Sequence, residues 1–173
     1  MASVPPTVAL AITRKKLRYA RYADTKKWDL FEEEVSIPET QYDYQGVGGK
    51  TLVWSGKQLK FSSTREFRAY FEPVFASLQT MHTLAPGDFT WAAGDGEDGR
   101  EDEVKAIFAF EDQLLLPPFG SWAELRGGGF YYETWKLVDG DWRLINLRMT
   151  RNYQKATPLM KLATFLMRSK LKS

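Results

Sequence analysis

The chain of 173 residues contains no cysteine. That absence excludes disulfides, thiolate nucleophiles, zinc fingers and iron–sulfur sites together, and it suits a reducing, cytoplasmic setting. There is one histidine, His82. A multi-histidine metal centre is therefore excluded, no carboxylate motif has ligand spacing, and neither metal nor cofactor is expected. No run of about 18 apolar residues exists, so no membrane-spanning helix is expected. Met1–Thr13 has no basic stretch ahead of its short apolar segment, which argues against a secretory leader. No serine stands in a nucleophile elbow. Gly49-Lys50-Thr51 resembles the end of a phosphate loop, but Tyr44 holds the place of the loop's first glycine and strand-like sequence follows.

What is present is an apolar and aromatic chain. Hydrophobic residues make up 43% and aromatics 14%, ample for one domain whose core lines a cavity. The net charge of +2 is unevenly spread. Residues 151–173 carry Arg151, Lys155, Lys161, Arg168, Lys170 and Lys172 and no acid, whereas 95–103 is strongly acidic. A basic tail can meet nucleic acid or an anionic membrane surface, and is more often a solvated helix face. The lack of a basic, aromatic patch elsewhere argues against nucleic acid.

Periodicity predicts helices over 7–23 and 27–35, the second capped by Thr25 and ended by Pro38. Short strands follow at 41–44 and 51–54, on either side of a turn at Gly46, Gly48 and Gly49. Ser63-Thr64-Arg65-Glu66 is a capping box opening a helix to about Leu78. The pattern then becomes β: 80–85, 89–93, an acidic turn at 94–102, and a long strand at 103–116. Strands 130–138 and 142–151 form a hairpin about Asp139-Gly140. Gly127-Gly128-Gly129 reads as a bulge or sharp bend ahead of that hairpin. Pro158 opens a final helix, 159–171, with Leu159, Leu162, Ala163, Leu166 and Met167 as its apolar stripe. Helices set before a mostly antiparallel meander predict an α+β fold. The expected organisation is a pocket domain over 7–153 and a basic amphipathic helix over 154–173, acting as a lid or an oligomer contact.

Three segments, Tyr22-Ala23-Asp24-Thr25-Lys26-Lys27-Trp28-Asp29-Leu30, Tyr42-Asp43-Tyr44 and Thr80-Met81-His82-Thr83-Leu84, are followed by Trp135-Lys136-Leu137-Val138-Asp139-Gly140-Asp141-Trp142-Arg143. In this order the chain resembles the SnoaL-like group of the nuclear-transport-factor-two-like superfamily, and within it fungal scytalone dehydratase-like proteins. The resemblance implies a cone-shaped fold with helices packed on a curved sheet around a pocket. It also implies that Asp24 supports His82, that Tyr44 joins them through ordered water, and that Tyr22, Phe71, Phe110, Leu114 and Tyr131 contact substrate. The chain departs from the pattern where a second histidine would fall, near Leu114, and where a serine and an asparagine would fall, near Gly129 and Tyr131. Dehydration itself is therefore not carried over.

An imidazole titrates near about pH 6.5 and can exchange protons under cellular conditions. A carboxylate on its far nitrogen sets the tautomer, and a phenol can donate to a developing enolate. That trio suits proton abstraction beside a carbonyl, followed by elimination, isomerisation or ring closure. Strand parity adds Asp112, which shares a face with Phe108, Phe110 and Leu114; an acid set among aromatics can act as acid or base. The resemblance implies a hydrophobic or aromatic small-molecule substrate of polyketide-like or terpenoid type. A non-catalytic binding or oligomerisation module is the alternative. The apolar outward residues Ile107, Ala109, Tyr132 and Thr134 predict a homo-oligomer, dimer or trimer, joined through the outer sheet face.

Overall fold

The structure is a computed structural model and describes residues 3–54, 56–92 and 100–170. Helix α1 (Pro6–Asp24) begins with proline in its first turn, where a missing amide costs nothing. Ile12, Lys16, Tyr19 and Ala23 recur at helical spacing and are all buried. Helix α2 (Trp28–Glu34) buries Trp28 and Phe31. Thr25 does not cap it. Its hydroxyl donates to the Arg21 carbonyl and closes α1 instead.

Strand β1 (Ser36–Gln45) contains Pro38, so the proline lies in a strand and not at a helix end. Pairing of β1 is irregular between Ser36 and Gln41, which accommodates a residue unable to donate to the ladder. Short strands β2 (Val53–Trp54), β3 (Lys57–Gln58) and β4 (Lys60–Phe61) precede helix α3 (Thr64–Ala76). Ser63 caps α3 by accepting the Glu66 amide, while the Glu66 carboxylate reaches back one residue further than expected, to Ser62. Then come β5 (Gln79–Leu84), β6 (Asp88–Ala92), β7 (Arg100–Leu115), a single turn at Gly120–Trp122, β8 (Glu124–Val138), β9 (Asp141–Ala156) and α4 (Pro158–Lys170). The acidic turn expected at 94–102 falls partly outside the described residues, and its last part belongs to β7.

The main sheet has seven strands in the order β4-β1-β9-β8-β7-β5, with β6 also paired to β7. All pairings are antiparallel except β1 with β9. The β8–β9 hairpin turns at Asp139 and Gly140, both with positive φ (50° and 80°), the backbone a tight two-residue turn demands. β8 starts at Glu124, so the triglycine lies inside a strand. A register shift between Gly128 and Gly129 supplies the bulge that this run suggested. The sheet stays open and curls around the first three helices, giving a cone-shaped α+β fold. The main core holds the aromatic side chains between sheet and helices. A smaller one, Leu78, Leu114, Leu125 and Met160, sits where α4 meets the sheet.

Helix α4 departs from its expected stripe. Among the described side chains of α4, Met160 is buried and Leu162 is 53% exposed; those at 166 and 167 lie outside the described residues.

Candidate active site

The alternating burial of β5 turns Thr80, His82 and Leu84 inward and leaves Met81 exposed. Asp24 is the last residue of α1. A carboxylate there opposes the helix dipole, so its place must be compensated by specific contacts. It is: Oδ1 accepts from His82 Nδ1 at 2.7 Å and from the Thr80 hydroxyl at 2.8 Å, and Oδ2 accepts the His82 backbone amide at 2.9 Å. Burial by itself would raise the Asp24 carboxyl; the His82 ring, its charge, its amide and the Thr80 hydroxyl outweigh this and hold it below the ordinary carboxylate range. Lys26, in the left-handed region at φ 60°, folds back so that its ammonium donates to the Asp24 carbonyl. Because an ionised carboxylate can only accept, Nδ1 carries the proton, and Nε2 is the basic nitrogen. Phe75 stacks on the imidazole at 6.2 Å between ring centroids.

His82 lines a cavity of about 670 Å³ whose wall is built from α1, α2, α3, the sheet and α4. Tyr44, Phe71, Asp112, Leu114 and Tyr131 also line it. Two of the expected substrate contacts do not. Tyr22 is turned about 100° round α1 from the cavity-lining Ala23, and its hydroxyl donates to Glu34 at 2.7 Å on the outer side. Phe110 is covered by the Tyr131 ring at 4.4 Å and by the Arg151 guanidinium at 5.6 Å, which take the cavity side.

Tyr44 lines the cavity with its hydroxyl engaged by a neighbouring phenol. Its hydroxyl shares a 2.6 Å hydrogen bond with that of Tyr19, and no contact joins it to Asp24 or His82 among the described residues. Burial raises the phenols of Tyr19, Tyr44 and Tyr131, so they remain neutral donors. Beneath them lies an ion pair without solvent contact: Lys16 donates to Glu133, both side chains 0% exposed, and Trp135 Nε1 donates to Glu133 at 2.9 Å. The Lys16 ammonium stands 3.4 Å from the Tyr131 ring centroid and 4.0 Å from that of Tyr19.

Asp112 faces inward, as strand parity predicts, and stands directly opposite His82 in the β5–β7 ladder. It is not a solitary acid. Arg151 on β9 holds both its oxygens, at 2.9 and 2.5 Å. The guanidinium reaches β7 by crossing β8 at Gly127, where a Cβ would overlap Nη1. On the other face Tyr153 crosses above Gly128 to donate to Glu111 at 2.9 Å, and a Cβ at 128 would lie 2.7 Å from the Tyr153 ring. The triglycine is thus a gap in β8 through which two side chains of β9 reach β7.

Sequence reasoning missed Arg151, Tyr19, Lys16 and Glu133. Lys16 was accessible, since it sits four residues after Ile12 and three before Tyr19 on the buried stripe of α1. Arg151 was accessible only jointly with the triglycine. Among the described residues no three His, Asp or Glu side chains are grouped to hold a metal ion.

An open α+β cone with a helix-end carboxylate on a strand histidine beside a cavity defines a small pocket protein. The model of the SnoaL-like domain matches residues 7–148. The chain belongs to the SnoaL-like domain family. It is 34% identical to the probable cyclase FGR4 of Gibberella zeae over 153 residues, 88% of this chain and 97% of that protein. A candidate scytalone dehydratase from Novosphingobium aromaticivorans superposes with a TM-score of 0.69 at 12% identity, over 88% of this chain and 93% of the other. The hexachlorocyclohexane dehydrochlorinase LinA-type3 of Novosphingobium barchaimii superposes with a TM-score of 0.66 at 11% identity, over 88% and 91%. At such identities the two structures show the shared fold.

Proposed function

We propose that the protein is a cofactor-independent acid/base enzyme, a cyclase, lyase or isomerase, acting on an aromatic polyketide-like or terpenoid intermediate. The observation that carries this reading is the Asp24–His82 pair, at 2.7 Å, on the wall of an aromatic-lined cavity of about 670 Å³. His82 Nε2 takes a proton from carbon beside a carbonyl, and Asp24 stabilises the imidazolium that forms. The enolate then attacks a second carbonyl of the same molecule, and the imidazolium returns the proton to the new alkoxide. Loss of a leaving group from the same enolate gives elimination instead. A relative named as a cyclase supports ring closure, and neighbours of the fold named as a dehydratase and a dehydrochlorinase are in keeping with elimination.

Two further elements belong to this reading. Helix α4 supplies Met160, Lys161 and Thr164 to the cavity wall, which fits a lid that excludes water during reaction. The outer sheet face, with Ile107 37% exposed beside Tyr132 and Thr134, suits a homo-oligomer. A dimer or trimer mass in light scattering, shifted to monomer by Ile107→Asp, is the expected result.

The test of catalysis needs no knowledge of the natural substrate. A bicyclic aromatic ketone such as 2-tetralone in deuterated buffer should exchange its α-protons faster with enzyme, and His82→Ala should remove at least about a hundredfold of that rate. Exchange equal in wild type and variant would favour a binding module over an enzyme.

A further inference from the structure

The connection between β7 and β8, residues 116–123, is a braced loop that carries exposed aromatics. Pro117 and Pro118 fix φ where the chain leaves β7. The amides of Leu116, Phe119, Trp122 and Ala123 donate to the carbonyls of Ala123, Leu116, Phe119 and Gly120, all at 3.0–3.1 Å. Ala123 is fully buried and ties the loop to the protein. Phe119 and Trp122 nevertheless stand 48% and 80% exposed. Residues three apart in a 3₁₀ turn eclipse one another, so both rings leave the turn Gly120–Trp122 on the same side. Single exposed apolar residues are ordinary. Two aromatics held together on a rigid projection call for a surface to receive them.

The loop projects from the end of the molecule where the cavity opens. Glu124, the first residue of β8, donates its amide to the Thr157 hydroxyl at 3.0 Å and accepts the Thr157 amide at 2.9 Å, which joins the loop to the start of α4. Leu116 packs against the cluster that seats Met160. Among the residues that line the cavity, Val53, Gln154, Lys155 and Lys161 are exposed and so mark its mouth. Leu162 lies about 200° round α4 from the core contact of Met160 and is exposed. Charge at this end is positive. The acids Glu111 and Glu124 are engaged, the first by Tyr153 and the second by Gln113 and Arg126. No ion pair engages Lys155 or Lys161 among the described residues, and the sequence from 151 to 173 carries no acid. Asp102 and Glu103 lie toward the other end of β7, about 40 Å along the strand from Leu115.

We infer that this end of the cone docks on an anionic lipid surface, with Phe119 and Trp122 inserted at the level of the headgroups and Lys155 and Lys161 facing the lipid charges. An indole suits that depth, because its body is apolar while its N–H keeps a polar partner. Lysines beside it add attraction to anionic lipid. A lipid surface yields to a projecting wedge, whereas a protein partner must offer a groove shaped to it. A second copy meeting this end about a two-fold axis would set Lys155 and Lys161 against their own counterparts. Docking in this orientation points the cavity mouth at the bilayer, so that an apolar ligand passes between lipid and cavity without crossing bulk water. The docking does not depend on the acid/base reading, and its test reads vesicle binding alone, so either can fail while the other stands.

The experiment is co-sedimentation of the full chain with vesicles of mixed phosphatidylserine and phosphatidylcholine, and with vesicles of phosphatidylcholine alone. Wild type should bind the mixed vesicles more tightly, and less so as salt is raised. Phe119→Ser/Trp122→Ser alters exposed side chains and should leave Tm unchanged. It should weaken binding to the mixed vesicles by about tenfold or more, the scale of burying one large apolar side chain. Lys155→Gln/Lys161→Gln should weaken binding several-fold and flatten its salt dependence. Lipid brominated near the headgroup should quench tryptophan fluorescence in wild type, and Trp122→Phe, which keeps an apolar ring, should remove most of that quenching while retaining binding; this arm carries the test if the serine variant does not fold. Wild type that ignores the mixed vesicles, or binding and quenching that survive the aromatic substitutions, would overturn the inference. So would a concentration-dependent dimer in light scattering that Phe119→Ser/Trp122→Ser abolishes, because a second copy would then cover the rings.

Discussion

Arg151 and Asp112 are joined in a two-pronged ion pair across an entire intervening strand, Nη1 to Oδ1 at 2.9 Å and Nη2 to Oδ2 at 2.5 Å, both residues more than nine-tenths buried. The pair exists because residue 127 has no side chain. Gly127→Ala should push the guanidinium away and leave Asp112 buried without its partner, at about 3–5 kcal/mol, the usual result of breaking a buried pair. Urea denaturation measures it. A loss under about 0.5 kcal/mol, typical of a surface change, would mean that the guanidinium has another route to Asp112.

Asp24 yields a pH prediction. Its folded carboxyl lies below the ordinary value of 3.8, so its stabilising contribution is fully present above that value. The contribution is lost as pH falls through the lower folded value. Asp24→Asn should therefore reduce stability at neutral pH, and the gap to wild type should narrow on acidification below about pH 4. It should also slow the exchange reaction by favouring the wrong imidazole tautomer. A gap constant from neutral pH to pH 2 would show that the carboxylate charge is not what the pair uses.

The Lys16–Glu133 pair is opposed by its own burial, which lowers the lysine and raises the glutamate while each partner's charge pulls the other back. Lys16→Met alone should cost about 3–5 kcal/mol by stranding Glu133. Lys16→Met/Glu133→Leu should cost less than the two single changes summed, a coupling that a double-mutant cycle reads directly. Additive costs would mean that the two charges are compensated separately.

Truncation after Thr157 removes Met160 from its seat against Leu78, Leu114 and Leu125 and opens the cavity wall. The shortened protein should remain folded by circular dichroism, and the dissociation rate of 2-tetralone should rise. Unchanged ligand retention together with lost binding to anionic vesicles would assign the helix to a membrane surface instead of a lid.

Local order was legible because its causes are local. The Asp139-Gly140 turn, the Ser63 cap and the alternation that turns His82 and Asp112 inward depend on neighbours within a few residues. The pairing of Asp24 with His82 was reached through a family resemblance, since 58 residues separate them and no periodicity links a helix end to a distant strand. Register and crossing decided the remainder. The parallel docking of β1 on β9 carries Tyr44 to Tyr19, and the two hydroxyls bond. The gap at Gly127 turns Asp112 from a candidate acid into half of an ion pair. The sequence by itself determined which side chains of β5 and β7 face inward, because that follows from the period of a strand. Only the tertiary structure decided which inward charges meet, because a buried charge takes whatever partner the strand order brings within reach.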